Sequence, residues 1–218
     1  MSNMDINGNQ RGSTKKRLII IFFVSLGIIL LLSVAVMLIE RLRQSPYEDM
    51  TKVLDYDFAY ADFSEDIFQD DEYIKIIERG YLYFCDSSTG VTVGYEPADA
   101  ENYGSDLVFL TEYIQTAIQG DYQAYNEMFS DIYYKEHAVK EAFTMQKIYD
   151  VYFTRTSSSE ITENGRTFHS YDYTVEYKIL DNNGTFRNDI GTGTRKQFFT
   201  ITDRTGELLI DAIGVVLN

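Results

Sequence analysis

The chain has 218 residues, 44% of them hydrophobic, and a formal net charge of −15 at pH 7. An acidic surface is repelled by the phosphate backbone of DNA and RNA, so nucleic acids are excluded as partners. The single cysteine, Cys85, excludes an internal disulfide, and the two histidines, His137 and His169, have no metal-ligand spacing. We therefore expect no metal and no cofactor.

Residues 18–39 form the longest apolar segment, LIIIFFVSLGIILLLSVAVMLI. At a rise of ~1.5 Å per residue, one helix of this length would cross roughly 30 Å of hydrocarbon. A cleavable signal peptide is the alternative, because Lys15, Lys16 and Arg17 precede the segment and small residues occur near Ser33. The apolar stretch is longer than the core of a usual signal peptide, which favours a retained transmembrane helix.

The expected location is the cell membrane, crossed once by residues 18–39. Four basic residues precede this segment and three follow it by residue 52, so the charge bias between its two sides is small. The absence of a second apolar span and the long acidic part that follows favour a cytoplasmic tail at residues 1–17 and an extracytoplasmic C-terminal domain.

Residues 40–104 are predicted to be an acidic, aromatic juxtamembrane segment that is partly helical. Acidic residues outnumber basic ones by 22 to five between residues 48 and 146, and residues 147–204 carry eight of each. The apolar positions between Ser64 and Phe84 recur at partly helical spacing, which predicts a helix. Glycines and Pro97 between Ser87 and Gly104 predict a loop.

A globular domain is predicted for residues 105–218, and it begins with two helices. In SDLVFLTEYIQTAIQG the apolar residues share one helical face, Ser105 or Asp106 can cap the start, and Gly120 can end the helix. Asp121 has the position of an N-cap for a second helix through Phe129. The segment DIYYKEHAVKEAF can hold a third, shorter helical turn.

From Thr144 onward, β-branched and aromatic residues predict about four antiparallel strands. The segment FHSYDYTVEYKIL alternates between apolar residues and polar ones, so one face is expected to be buried. Turns are predicted at residues 163–165, 181–184 and 203–206, and Gly214 can allow a bulge in the last strand. The expected fold class is α+β, with two or three helices packed on a curved antiparallel sheet.

The helical start SDLVFLTEYIQTAIQGDYQAYNEMFSD and the closing strands RKQFFTITDRTGELLIDAIGVV resemble the NTF2-like (cystatin-like α+β roll) superfamily over residues 105–218. That superfamily contains isomerases, dehydratases and cyclases as well as non-catalytic binding domains. The membrane-anchored bacterial members of the VirB8 kind use the domain as an extracytoplasmic assembly module. The resemblance therefore implies either a binding module or an enzyme with a pocket between helices and sheet.

An enzyme of this kind would need a histidine or carboxylate in the pocket as general base. The candidates are His137, His169, Asp172, Asp150 and Asp211. His169 and Asp172 are three apart on a predicted strand, so they should point to opposite faces and form no dyad. Because these two side chains are not expected to act as a pair, the sequence argues against catalysis.

The basic residues of the second half suggest an interaction surface. These are Arg187, Arg195, Lys196 and Arg204, which could instead simply pair with acidic neighbours. The sequence therefore predicts a non-enzymatic, membrane-anchored module for protein binding or assembly, with a protein partner or self-association. The alternative is a small-ligand-binding domain or a weak isomerase-like or cyclase-like enzyme.

Overall fold

The computed structural model describes residues 47–49, 58 and 65–216, all within the unit Tyr47–Asn218. The predicted cytoplasmic tail and transmembrane helix, residues 1–17 and 18–39, lie outside these residues. No helix in the part of the chain that the structure describes is long and apolar enough to cross a membrane.

The described residues form three α-helices and seven strands. The helices are α1 (Asp71–Ile77), α2 (Ser105–Gln119) and α3 (Tyr122–Glu127). The strands are β1 (Tyr47–Asp49), β2 (Leu82–Asp86), β3 (Val91–Tyr95), β4 (Ile148–Glu163), β5 (Arg166–Ile179), β6 (Gln197–Thr202) and β7 (Leu209–Val216). Short 3-10 helices span Ile67–Gln69, Pro97–Asn102 and Tyr133–Lys135.

The strands form one mixed sheet in the order β1-β7-β6-β5-β4-β2-β3. Strands β4 to β7 make an antiparallel meander, in which short turns join β4 to β5 and β6 to β7 and a longer loop, residues 180–196, joins β5 to β6. Strand β2 pairs with β4 in parallel, from Leu82 opposite Val151 to Asp86 opposite Arg155. The chain can make this parallel pair because β3, α2 and α3 lie in the long connection between β2 and β4.

The predicted fold class is therefore corrected. The structure is α+β, but the sheet is mixed and has six strands, β2–β7, with the short β1 as a seventh, where about four antiparallel strands were expected. The additional strands β2 and β3 come from the segment predicted as a helix from Ser64 to Phe84 and a loop from Ser87 to Gly104. Gly80, at φ 85°, lies between α1 and β2, so the helix ends well before Phe84.

Helix α2 packs across the sheet and supplies the centre of the core. Its buried face includes Leu107, Leu110, Tyr113, Ile114 and Ile118, at the spacing of an amphipathic helix. The facing strands bury the alternating residues Tyr173, Val175, Tyr177 and Ile179 of β5, together with Phe153 and Phe199. The alternation of FHSYDYTVEYKIL correctly indicates which side of the strand is buried.

Two local predictions about the ends and kinks of elements are wrong. The N-cap of α2 is Gly104, because Asp106 turns inward and is buried instead of capping the helix. The irregularity between β6 and β7 lies between Thr200 and Ile201, whereas Gly214 pairs regularly with Phe198.

The β4–β5 hairpin extends beyond the rest of the sheet. Strand β2 ends opposite Arg155 and β6 pairs with β5 only from Ser170 onward, so residues 160–169 pair in the sheet ladder only with one another, and residues 157–159 pair only with residues 170–172 of β5. We call residues 157–169 the ribbon. All its side chains are exposed except that of Phe168, which the guanidinium of Arg204 covers at 4.3 Å from the ring centre.

Candidate functional site

A cavity of about 230 Å³ opens beside α3, between the chain that follows this helix and the loop after β5. We call it the α3 cavity. Its wall has three parts: Tyr125, Asn126, Phe129 and Tyr133; then Ala138 and Lys140; and finally Phe186–Asp189.

Aromatic rings form one side of the α3 cavity. Tyr125 belongs to α3 and Phe129 follows two residues after its end, and their ring centres lie 4.9 Å apart. Tyr133 follows at 4.4 Å from Phe129, and Phe186 meets Tyr125 edge-on at 5.5 Å. Such offset and edge-to-face packing holds the rings in fixed positions, which gives the cavity a defined apolar wall.

The loop after β5 reaches the cavity because Asn182 organises it. The buried amide of Asn182 donates to the carbonyl oxygens of Arg187 at 3.0 Å and Ile190 at 2.9 Å, and its oxygen accepts from the Gly184 N–H. These hydrogen bonds satisfy backbone groups of a loop that has no regular strand pairing of its own. Asn182 therefore helps to hold Arg187 and Asp189 at the cavity wall.

Arg187 and Asp189 form a buried bidentate pair, and each side chain is at most 3% exposed. Arg187 Nε donates to Asp189 Oδ1 at 2.8 Å and Nη2 donates to Oδ2 at 2.6 Å, while Arg195 Nη1 adds a third bond at 3.1 Å. Burial acts to raise the pKa of Asp189, but the bonds and charges of the two arginines outweigh it and lower the pKa. Asp189 is therefore held ionised.

Lys140 brings an ammonium group to the same cavity. Its Nζ lies 6.0 Å from the centre of the Phe186 ring, and burial lowers its pKa below the usual value despite the charges of Asp189 and Glu141. Asn126 fixes the backbone of Lys140: Oδ1 accepts from the Lys140 N–H and Nδ2 donates to the Lys140 carbonyl, both at 2.9 Å. The position of this lysine is thus set from α3.

His137 lies beside the cavity. Its ring stacks on Tyr133 with centres 4.1 Å apart, and its Nδ1 lies 3.0 Å from the Tyr133 carbonyl oxygen. It is half-buried, and it is not among the residues that line the cavity. The structure therefore places this catalytic candidate behind a wall residue.

His169 and Asp172, the other candidates, make separate contacts. His169 is exposed on the ribbon, where its Nδ1 lies 3.0 Å from Asp203 Oδ2. Asp172 accepts a hydrogen bond from Thr200 Oγ1 at 2.9 Å. The Asp203 partner was not identified from the sequence, because only the pairing of β5 with β6 brings residues 34 positions apart together.

The remaining carboxylate candidates have ordinary strand partners. Asp150, at φ 49°, pairs with Lys178 at 2.7 Å, and Asp211 accepts from Thr202 Oγ1 at 2.9 Å. Neither lines the α3 cavity. Among residues 65–216 the structure shows no cluster of three or more metal-ligating side chains.

The predicted basic interaction surface is divided among separate ion pairs. Arg187 and Arg195 both bind Asp189, Lys196 pairs with Glu176 at 2.9 Å, and Arg204 pairs with Glu163 of the ribbon. Only Arg187 of this group lines the cavity. The sequence pointed to Arg187 as basic but gave no sign of Lys140 or Asn126, since no local motif marks either residue.

No protein-family model, curated protein or solved structure matches the chain. The resemblance to the NTF2-like superfamily accordingly stays a prediction.

Proposed function

We propose that the described domain is a non-enzymatic binding domain and that the α3 cavity is its ligand site. The observation that carries this proposal is the composition of the wall, in which fixed aromatic rings face a half-buried ammonium group. Ligand sites combine apolar walls with a few placed polar groups in this way. The rings supply apolar contact area for a ligand, and the charge of Lys140 orients the ligand in the cavity.

Binding is favoured over catalysis because the potential general bases around the cavity are already engaged. Asp189 accepts bonds from two arginines, and a carboxylate held ionised by such bonds is a poor proton acceptor. The Nδ1 of His137 faces the carbonyl of Tyr133, and its ring is stacked outside the wall.

A bulky side chain at the cavity wall tests the proposal. Ala138 lines the cavity, whereas its neighbour Val139 is 64% exposed and does not line it. Ala138→Trp should abolish the binding of fragments that ligand-observed NMR detects with the full-length protein, because the indole fills the cavity. Val139→Trp is the matched control and should keep binding. Equal binding by both variants would contradict the proposal.

A second candidate function, protein binding or assembly, is favoured by the ribbon. Two-stranded ribbons are only marginally stable in water, and this one exposes nearly all its side chains, among them Ile161 at 39%. None of its residues belongs to the hydrophobic core cluster that contains α2 and β5. Their backbone edges and exposed side chains are available to a protein partner or to a second copy of the chain.

Two charge substitutions, one on the ribbon and one elsewhere on the surface, test whether the ribbon binds a protein partner. Ile161→Arg on the ribbon should reduce the crosslinked complexes of the full-length protein several-fold, because a charge is costly to bury in an interface. Val91→Arg, on β3 at 61% exposure, is the control and should leave them unchanged. Crosslinked complexes that persist unchanged in both variants would contradict a binding role for the ribbon.

The location stays a prediction from the sequence: membrane attachment through residues 18–39 and an extracytoplasmic C-terminal domain. Protease protection in intact cells, followed with epitopes at either end of the chain, tests it directly. Cleavage of the C-terminal epitope alone is the expected result, and protection of both epitopes would contradict it.

A further inference from the structure

We propose that the α3 cavity binds a small organic anion, a single ring that carries a carboxylate, with the ammonium of Lys140 as the charge partner. This inference rests on the proposed function, since it names the chemical class of ligand for that site.

The size of the cavity limits the ligand. Pockets for drug-sized molecules measure roughly 300–1,000 Å³. The α3 cavity, at about 230 Å³, lies just below this range. The rings of Tyr125, Phe129 and Tyr133 offer faces and edges against which one further ring can pack. A ligand with one ring and one small substituent therefore fits best.

The charges around the cavity select an anion. Arg187 and Asp189 neutralise each other as a bidentate pair. Lys140 forms no ion pair with any carboxylate among residues 65–216, although its ammonium is half-buried. Asp189 and Glu141 act on this ammonium only from beyond ion-pair distance, so it is partly buried without a bonded counter-charge, which is unfavourable. A carboxylate that enters the cavity would supply that partner. A cationic ligand would instead be repelled.

Two sources could supply such a carboxylate, and the ligand that we infer is a free molecule. The other source is the chain itself. Phe58 lies against Gly184 in the loop that carries Arg187, and a Cβ at position 184 would collide with the Phe58 ring. The acidic residues Asp55 and Asp57 are neighbours of Phe58 in sequence. A variant without these two charges distinguishes the sources.

Three test ligands of nearly equal shape examine the charge preference. Benzoate is an anion, benzamide is neutral and benzylamine is a cation, and each can be titrated calorimetrically into the full-length protein. We expect benzoate to bind at least tenfold more tightly than benzamide and benzylamine to bind most weakly. Lys140→Met should abolish the difference between benzoate and benzamide. Lys75→Met, an exposed lysine on α1, is the control and should preserve it.

The outcomes separate this inference from the proposed function. Equal binding of benzoate and benzamide that Ala138→Trp abolishes would overturn the anion inference and leave the ligand site intact. Benzoate binding that appears only in the Asp55→Asn, Asp57→Asn double variant would identify the chain's own carboxylates as occupants and overturn a free ligand. No binding of any test ligand in either background would overturn both proposals.

Discussion

At the scale of single residues, a buried ion pair joins α2 to β4. Arg155 Nε lies 2.8 Å from Asp106 Oδ2, the side chain of Asp106 is 3% exposed, and the Tyr173 hydroxyl donates to the same oxygen at 2.6 Å. A second guanidinium nitrogen, Nη2, donates to the Tyr103 carbonyl at 2.7 Å. Arg155 therefore connects the helix, the sheet and the chain before the helix.

Removal of Arg155 alone should be strongly destabilising. Arg155→Met leaves the Asp106 carboxylate buried without its counter-charge, which costs roughly 3–5 kcal/mol in the free energy of unfolding. The control Lys178→Met breaks a half-buried surface pair with Asp150 and should cost less than about 1 kcal/mol. Urea unfolding followed by circular dichroism measures both.

A double variant separates an unpaired charge from lost packing. Asp106→Leu combined with Arg155→Met removes both charges, so it should be more stable than Arg155→Met alone. A double variant that is less stable than either single variant would show that packing and hydrogen bonds, and not charge neutralisation, supply the stability at this site.

The exposed pair of His169 and Asp203 gives a measurable electrostatic effect. The Asp203 carboxylate raises the pKa of His169 above its ordinary value of 6.5 through a hydrogen bond and its charge. Because the pKa is raised by folding, this interaction stabilises the protein fully below about pH 6.5 and is lost as pH rises through the folded-state pKa.

Asp203→Asn should return the pKa of His169 towards 6.5. NMR titration of the imidazole protons can follow this change, since only two histidines occur in the chain and a His169→Asn variant assigns the signals. Asp172→Asn is the matched control, because Asp172 bonds Thr200 and not His169. If Asp203→Asn leaves the titration midpoint of His169 unchanged, Asp203 does not have this electrostatic role.

At the scale of elements, Gly120 shows how one residue fixes two segments. It ends α2 in the left-handed conformation, at φ 69°, and the Met145 nitrogen would lie 2.8 Å from a Cβ at this position. The chain that leads into β4 therefore packs directly on the end of α2. Both the conformation and the close approach require glycine.

Gly120→Ala should lower the free energy of unfolding by more than about 1 kcal/mol, because the native conformation is strained for alanine and the backbone must move away. Gly193→Ala is the control, since its Cβ would meet no neighbour and its φ is not positive. Thermal unfolding distinguishes the two variants. An equal effect on both midpoints would contradict the close packing at Gly120.

Elements with one strong period could be predicted from the sequence, and elements defined by distant partners could not. Helix α2 has a clear apolar face and a glycine stop, and β5 alternates along most of its length. In contrast, β2 and β3 have five residues each, too few for a period to be distinguished from the helix before them. The cavity was missed for the same reason, because Asn126 and Lys140 meet only through the fold.

At the scale of the whole molecule, the parallel pairing of β2 with β4 joins the first part of the described chain to the meander. Leu82, Phe84 and Tyr95 are at most 6% exposed, and they belong to the same core as α2 and β5. Without β2 and β3, the backbone of β4 from Val151 to Arg155 would be an open edge. Such an edge, next to uncovered apolar side chains, favours aggregation.

A pair of fragments tests this dependence. Residues 105–218 contain the helices α2 and α3 and the meander, and residues 47–218 add β1, α1, β2 and β3. We expect the longer fragment to unfold in one cooperative transition and the shorter one to aggregate or to lack a transition, because it loses part of the core and leaves β4 open. Calorimetry and light scattering measure both properties. A cooperative, monomeric fragment of residues 105–218 would show that β2 and β3 are dispensable additions to a core that is complete without them.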